Sequence, residues 1–231
     1  MKNENFIVLS LGGSLMVPDQ IDIAFLRQFR TLLRGEIRRG SRFMIFTGGG
    51  KVCRTYQDAA RKLGRPTAED LDWIGIRTTH LNGELLRVVL QPNVATALLT
   101  SPYATLDRSA DALFGVGGGY RPGESSDGPA VTVARRLGAK LLINLTNTPY
   151  VYDRDPRNDP AAKKIPDLTW SDYLQLIQSE WTPGMNVPFD PVAARRASRA
   201  KISVAIADGR NLPNVRKILH GKPFEGTLIH P

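Results

Sequence analysis

Phe114-Gly115-Val116-Gly117-Gly118-Gly119-Tyr120-Arg121-Pro122-Gly123-Glu124-Ser125-Ser126-Asp127 reads as a buried strand, a glycine turn and the hydroxyl-rich start of a helix. Such a turn exposes backbone N–H groups, and the helix N-terminus beyond it adds a partial positive charge. The segment is therefore suited to phosphate or another anion. Two earlier turns, Gly12-Gly13-Ser14 and Gly48-Gly49-Gly50, repeat the arrangement behind the apolar strands Phe6–Leu11 and Arg42–Thr47. Strands alternating with helices imply a largely parallel sheet covered on both faces. Three phosphate-ready turns in one α/β chain point to a donor and an acceptor phosphate held face to face, and so to a phosphotransferase.

The 231 residues suffice for one full core, and 42% hydrophobic with 23% charged residues is an ordinary balance for a globular chain. No apolar run approaches the roughly 20 residues that span a bilayer, so no membrane partner is expected. The apolar run after Met1–Asn5 is too short for a leader and meets Gly12-Gly13 at once, which makes it a first strand. A single cysteine, Cys53, excludes an internal disulfide and suggests a reducing, cytoplasmic compartment. Beside the second glycine turn it reads as a small buried residue or as a reactive thiol.

The formal charge of +9 invites a nucleic-acid reading. The cations, however, are spread over Arg34, Arg38 and Arg39, Arg135 and Arg136, Arg195, Arg196 and Arg199, and Arg216 and Lys217. They sit toward predicted helix ends, where they oppose the negative end of the dipole. No nucleic-acid partner is expected. An anionic substrate would benefit from the same field.

In chain order, the spacing of Ile23, Leu26, Phe29, Leu32, Leu33 and Ile37 predicts a helix after Asp22. A second helix is expected over residues 51–63, projecting Lys51 and Arg54 from its first turn toward an anion. A long helical pattern over residues 68–89, interrupted at Gly75, carries Asp72, Thr79, His80 and Asn82. Asp72 is deep enough in that helix to serve a ligand hydroxyl as well as a dipole, and His80 is either structural or a base. Residues 92–112 are poorly patterned. A helix over 126–137, a strand over 140–145, a turn-rich loop over 146–157 and a helix capped by Thr169 follow. Residues 181–186 read as another loop. Asp190-Pro191 opens a helix as N-cap and first-turn proline, and a strand, a helix and a short last strand complete the chain.

These residues, in this order, resemble the amino acid kinase family, and within it the archaeal-type uridylate (UMP) kinases. The resemblance covers nearly the whole chain: Gly12-Gly13-Ser14, Gly48 to Arg54, Asp72 to Ile76, Gly117 to Asp127, Thr146-Asn147, Val151-Tyr152, Asp155-Pro156, Lys163-Lys164-Ile165, Asp190 to Ala194 and Gly226 to Ile229. It implies a three-layer αβα sandwich with a mainly parallel central sheet, forming one domain. Its acceptor-binding lobe would span about 1–125 and its ATP-binding lobe about 126–231. The implied reaction is transfer of the ATP γ-phosphoryl to UMP, with Mg2+ accompanying ATP.

By resemblance, Gly13, Ser14, Gly50 and Arg54 meet the ATP phosphates, and Thr146, Asn147, Tyr152 and Asp155 hold the adenosine end. Gly49 meets the acceptor phosphate and Asp72 the acceptor ribose. Gly119, Tyr120, Arg121, Pro122, Gly123, Glu124, Ser125 and Ser126 wrap the nucleoside monophosphate. Asp127 and Asp190 organise the reaction centre, and no dedicated protein metal cluster is implied. A homo-oligomer, commonly a hexamer, is implied as well.

Three positions depart from the family pattern. Ser10 stands where many members have lysine. Asn147-Thr148-Pro149-Tyr150-Val151-Tyr152 replaces the usual Asn-Val-Asp-Gly-Val-Tyr. His80 stands where arginine is common. Two alternatives therefore stay open: another small-molecule phosphate or carboxylate kinase of this fold, and a nucleotide-binding regulatory or storage protein with little transfer.

Overall fold

A computed structural model describes residues 6–92, 94–95, 97–106, 114–156, 159–179 and 188–231. The loop expected over 181–186, the opening residues 1–5 and Arg157 lie outside the described residues.

Strand β1 (Phe6–Leu11) is followed by the one-turn helix α1 (Gly13–Met16) and by α2 (Ile23–Ile37), whose N-cap Asp22 accepts from the Phe25 N–H. Then come β2 (Arg42–Thr47), α3 (Gly50–Leu63), α4 (Ala68–Leu90) and β3 (Phe114–Gly117). The second half runs α5 (Asp127–Leu137), β4 (Leu141–Thr146), β5 (Val151–Tyr152), β6 (Lys164–Ile165), β7 (Asp167–Thr169), α6 (Trp170–Ser179), α7 (Pro191–Arg199), β8 (Ser203–Asp208), α8 (Leu212–Leu219) and β9 (Thr227–His230).

Seven strands form one sheet in the order β3-β2-β1-β4-β8-β9-β7. All neighbours are parallel except β8 and β9. The strands are nearly continuous apolar runs because both faces are covered. Side-chain alternation sorts them into two cores. Leu9, Leu11, Phe43, Ile45, Ile143 and Leu145 meet Phe29 and Leu33 of α2, Leu86 of α4 and Val215 of α8. Val8, Met44, Phe46, Leu142, Val204 and Ile206 meet Val131 and Ala134 of α5, Tyr173 of α6 and Ala194 of α7. The result is the expected αβα sandwich.

Two local expectations are corrected. Gly75 does not interrupt α4, which runs unbroken from a Thr67–Asp70 capping box to Leu90. Glycine disfavours a helix interior by only about 1 kcal/mol, and here it sits against Cys53 and Gln57 of α3, where a Cβ would be in ordinary contact. Residues 146–157 are not loop throughout. Val151–Tyr152 pairs antiparallel with Lys164–Ile165, a ribbon that the proline-rich sequence hides.

Candidate active site

The chain leaves β1 toward β2 and β3 on one side, then returns to place β4 on the other. That reversal opens a crevice at the carboxyl ends of β1 and β4, the favoured ligand position in open α/β sheets. Ser10 of β1 and Asn144 of β4 are register partners there, both buried. Both occupy the face turned toward α5 and α7. Ser10 Oγ donates to Asp127 Oδ1 at 2.7 Å, and Asn144 Nδ2 donates to the Pro188 carbonyl at 2.7 Å.

Asp127 begins α5 and Asp190 caps α7, so two helix N-termini deliver two carboxylates to one place. The Asp190 N–H donates to Asp127 Oδ2 at 3.3 Å, while Asp190 Oδ1 accepts from the Ala193 N–H at 2.8 Å. By surface area Asp127 is only partly buried, but protein atoms crowd its carboxyl closely. Burial first, and the Asp190 charge after the Ser10 hydrogen bond has partly offset it, push the carboxyl from 3.8 to about 6. Such a site favours a cation or a proton-linked partner.

The first two glycine turns interlock. A Cβ on Gly13 would lie 2.1 Å from Gly50 N and 2.6 Å from Gly48 O, and Gly50 itself has φ +65°. Only glycines let these backbones touch. Asn82 of α4 pins the second turn from below, donating to the Gly48 and Gly49 carbonyls at 2.8 and 3.1 Å. The third turn is pinned by the same helix. Thr79 Oγ1 accepts from the Gly119 N–H at 2.8 Å, and a His80 ring nitrogen lies 2.7 Å from the Gly119 carbonyl. His80 thus holds a loop and does not line the cleft.

A cleft of about 870 Å³ opens above these turns. Gly13, Ser14, Gly50 and Arg54 line it at one side, Thr146, Asn147, Tyr152 and Asp155 at the other, with Ser125, Ser126, Asp127 and Asp190 between them. Gly49, Asp72 and the segment from Gly119 to Glu124 do not line the cleft; they form a linked set next to it. Asp72 Oδ2 accepts from the Gly123 N–H at 2.8 Å. Glu124, its side chain 3% exposed, pairs with Arg196 at 2.8 Å and with Arg121 at 3.4 Å. Tyr120 meets Tyr103 edge to face. Lys51, expected to reach an anion with Arg54, is exposed and does not line the cleft. The Cys53 thiol is pushed up by burial, against smaller opposing effects of Arg54 and Arg61, which leaves it protonated and a poor nucleophile.

Several lining residues escaped the sequence reading. Asn144 was visible as the one polar residue within Leu-Leu-Ile-Asn-Leu, a signal in itself. Tyr173 was not, since its helical spacing is that of core. Its hydroxyl donates to the Phe189 carbonyl at 2.7 Å, and burial holds the phenol well above its ordinary range. Tyr150, Leu176, Ile177 and Pro188 also line the cleft, and only the tertiary structure brings them there.

Among the described residues no three His, Cys, Asp or Glu side chains cluster as a metal cage. The carboxylate pair does fit magnesium, which keeps most of its waters and takes one or two carboxylates together with substrate phosphates.

Residues 5–208 match the amino acid kinase family. The chain is 31% identical to a uridylate kinase of Hyperthermus butylicus over 96% of its length and 97% of that protein's. It is 35% identical to a uridylate kinase of Thermoplasma volcanium, covering 96% of each. The crystal structure of uridylate kinase from Archaeoglobus fulgidus superposes with a TM-score of 0.82 at 31% identity, over 96% of this chain and 99% of that one.

Proposed function

We propose that this chain, which belongs to the amino acid kinase family, transfers the γ-phosphoryl group of ATP to the phosphate of UMP, giving UDP and ADP. The observation that carries the reading is the cleft itself. It joins two interlocked glycine turns, a ribbon-edged nucleotide side and two carboxylates at helix N-termini.

An acceptor phosphate oxygen is already anionic near neutral pH, so it attacks Pγ without a strong base, and the bond from Pγ to the bridging oxygen of ADP breaks. Positioning and charge neutralisation carry such a transfer. In this reading the backbone N–H groups at Gly13, Ser14 and Gly50, with the Arg54 guanidinium, hold the ATP phosphates. Thr146, Asn147, Tyr152 and Asp155 hold adenosine. Gly49, Asp72 and the segment from Gly119 to Ser126 hold UMP. Asp127 and Asp190 would hold magnesium, which supplies charge neutralisation at the β- and γ-phosphates. Ser10, in place of a lysine, contributes a hydroxyl that orients Asp127 rather than a cation of its own.

The proposal extends to a cytoplasmic homo-oligomer. Exposed Tyr56 and Leu63 of α3 and Trp73 and Leu81 of α4 offer an apolar surface for assembly, and the lone Cys53 suits a reducing compartment. The deciding experiment is ADP production from MgATP across a panel of nucleoside monophosphates and non-nucleotide phosphates. Turnover confined to UMP is expected. Turnover on a different acceptor would move the substrate. ATP binding without turnover would replace the enzyme with a binding protein.

A further inference from the structure

On the outer side of α5 and α7, away from the cleft, lies a groove of about 320 Å³ lined by Arg135, Val192, Arg195, Arg196, Arg199 and Ala200. Four arginines line a space of that size. Cations at helix C-termini favour the dipole, and Arg135 and Arg199 stand in the last turns of their helices. That effect does not account for the number. The neighbouring Arg136 is consumed by the carbonyls of Pro102 and Ala104. Arg196 is consumed by Glu124, the Gly128 carbonyl and Thr132 Oγ1. Arg135, Arg195 and Arg199 have no hydrogen-bonding or carboxylate partner among the described residues. Three exposed arginines beside a fourth, held one make a cationic patch suited to an anion.

We propose that this groove is a second anion site, taking a short phosphate chain, and that it is coupled to the acceptor segment through Arg196. The planar guanidinium fork matches phosphate oxygens two at a time, and several forks around one groove select a multiply charged ligand over a single phosphate. The volume suits two or three linked phosphates. Arg196 serves two places: it is among the groove's lining residues, and its guanidinium holds the buried carboxylate of Glu124, four residues after Tyr120. A phosphate chain in the groove competes with Glu124 for that guanidinium and loosens the segment. Both helices bordering the groove also begin at the reaction-centre carboxylates, with Arg135 and Arg199 about 12 to 14 Å along them by helical rise. The binding half of this inference stands apart from the identity of the acceptor.

The test is calorimetric titration of the full chain with inorganic tripolyphosphate, at about physiological ionic strength. Wild type should show two classes of site, the cleft and the groove. The variant Arg135→Ser/Arg195→Ser/Arg199→Ser alters only exposed side chains and should keep the cleft class while the groove class weakens at least about tenfold, as expected for lost charge-assisted contacts. Retention of the cleft class shows that the variant is folded. A single class in wild type, or two unchanged classes in the variant, would overturn the site. ATP entering the groove no more tightly than tripolyphosphate supports recognition of the phosphate chain alone, whichever molecule carries it. Entry of nucleotide but not tripolyphosphate would overturn that, as would displacement of tripolyphosphate by a short RNA at equal phosphate concentration. For the coupling, tripolyphosphate at saturating ATP should raise the acceptor KM several-fold in wild type and leave it unchanged in the triple variant. An equal response in both would overturn the coupling between the groove and the acceptor segment.

Discussion

At the scale of single residues the carboxyl of Asp127 is held by the Ser10 hydroxyl and the Asp190 N–H. It holds its proton more tightly folded, at about 6, than its ordinary 3.8. This group therefore favours the folded chain below about pH 4, and that contribution is lost as pH rises toward and through about 6. Asp127→Asn removes the dependence. In the absence of nucleotide and metal, the variant's stability relative to wild type should be higher near pH 8 than near pH 4. The difference is at most about 3 kcal/mol, less whatever screening cleft water supplies. Turnover should fall at least about a hundredfold, the usual loss for one preorganised charge contact. Melting curves at the two pH values check this, and an identical offset at both would mean that the carboxyl is not perturbed. Ser10 belongs to the same account. Where a lysine would bring charge to the phosphates, its hydroxyl gives the Asp127 carboxyl a hydrogen bond.

At the scale of elements, the site is built from contacts between turns rather than from any one turn. Gly13 at the start of α1 and Gly50 at the start of α3 are in backbone contact, and Asn82 of α4 holds the second turn by two carbonyls. Gly13→Ala cannot be relieved by moving a side chain, since the atoms it meets are main chain. It should cost about 1–3 kcal/mol in stability, as overpacking does, and raise the Kd for ATP at least about tenfold. Urea unfolding and nucleotide titration would report both. Unchanged ATP affinity would mean that these two turns do not hold the donor phosphates. Helix α4 is the common support: Thr79 and His80 fix the third turn while Asp72 fixes Gly123. The sequence showed a helix there and placed Asp72 on it, but marked Gly75 as a break because propensity counts glycine as a cost and cannot see α3 packed against it.

At the scale of the whole molecule, one sheet carries the cleft, with β4 on one side of β1 and β2 and β3 on the other. Asp72, which the proposed function assigns to the acceptor, is tied to Gly123 and lies outside the cleft lining. Asp72→Ala should therefore raise the KM for UMP several-fold more than the KM for ATP, since it removes a charge-assisted hydrogen bond that orders only the acceptor segment. Equal losses for both substrates would place the acceptor elsewhere. What the sequence determined alone was most of the succession of strands and helices, the glycine turns between them, and Asp190 as a helix cap. These are local matters of period, cap and backbone freedom, read within a few residues. Only the tertiary structure decided that Ser10 and Asn144 become neighbours, that Tyr173 and Pro188 wall the cleft, and that four arginines from two helices share one groove. Those arrangements depend on strand order and helix packing, which join residues as far apart in sequence as Ser10 and Asn144 and leave no periodic trace in the chain.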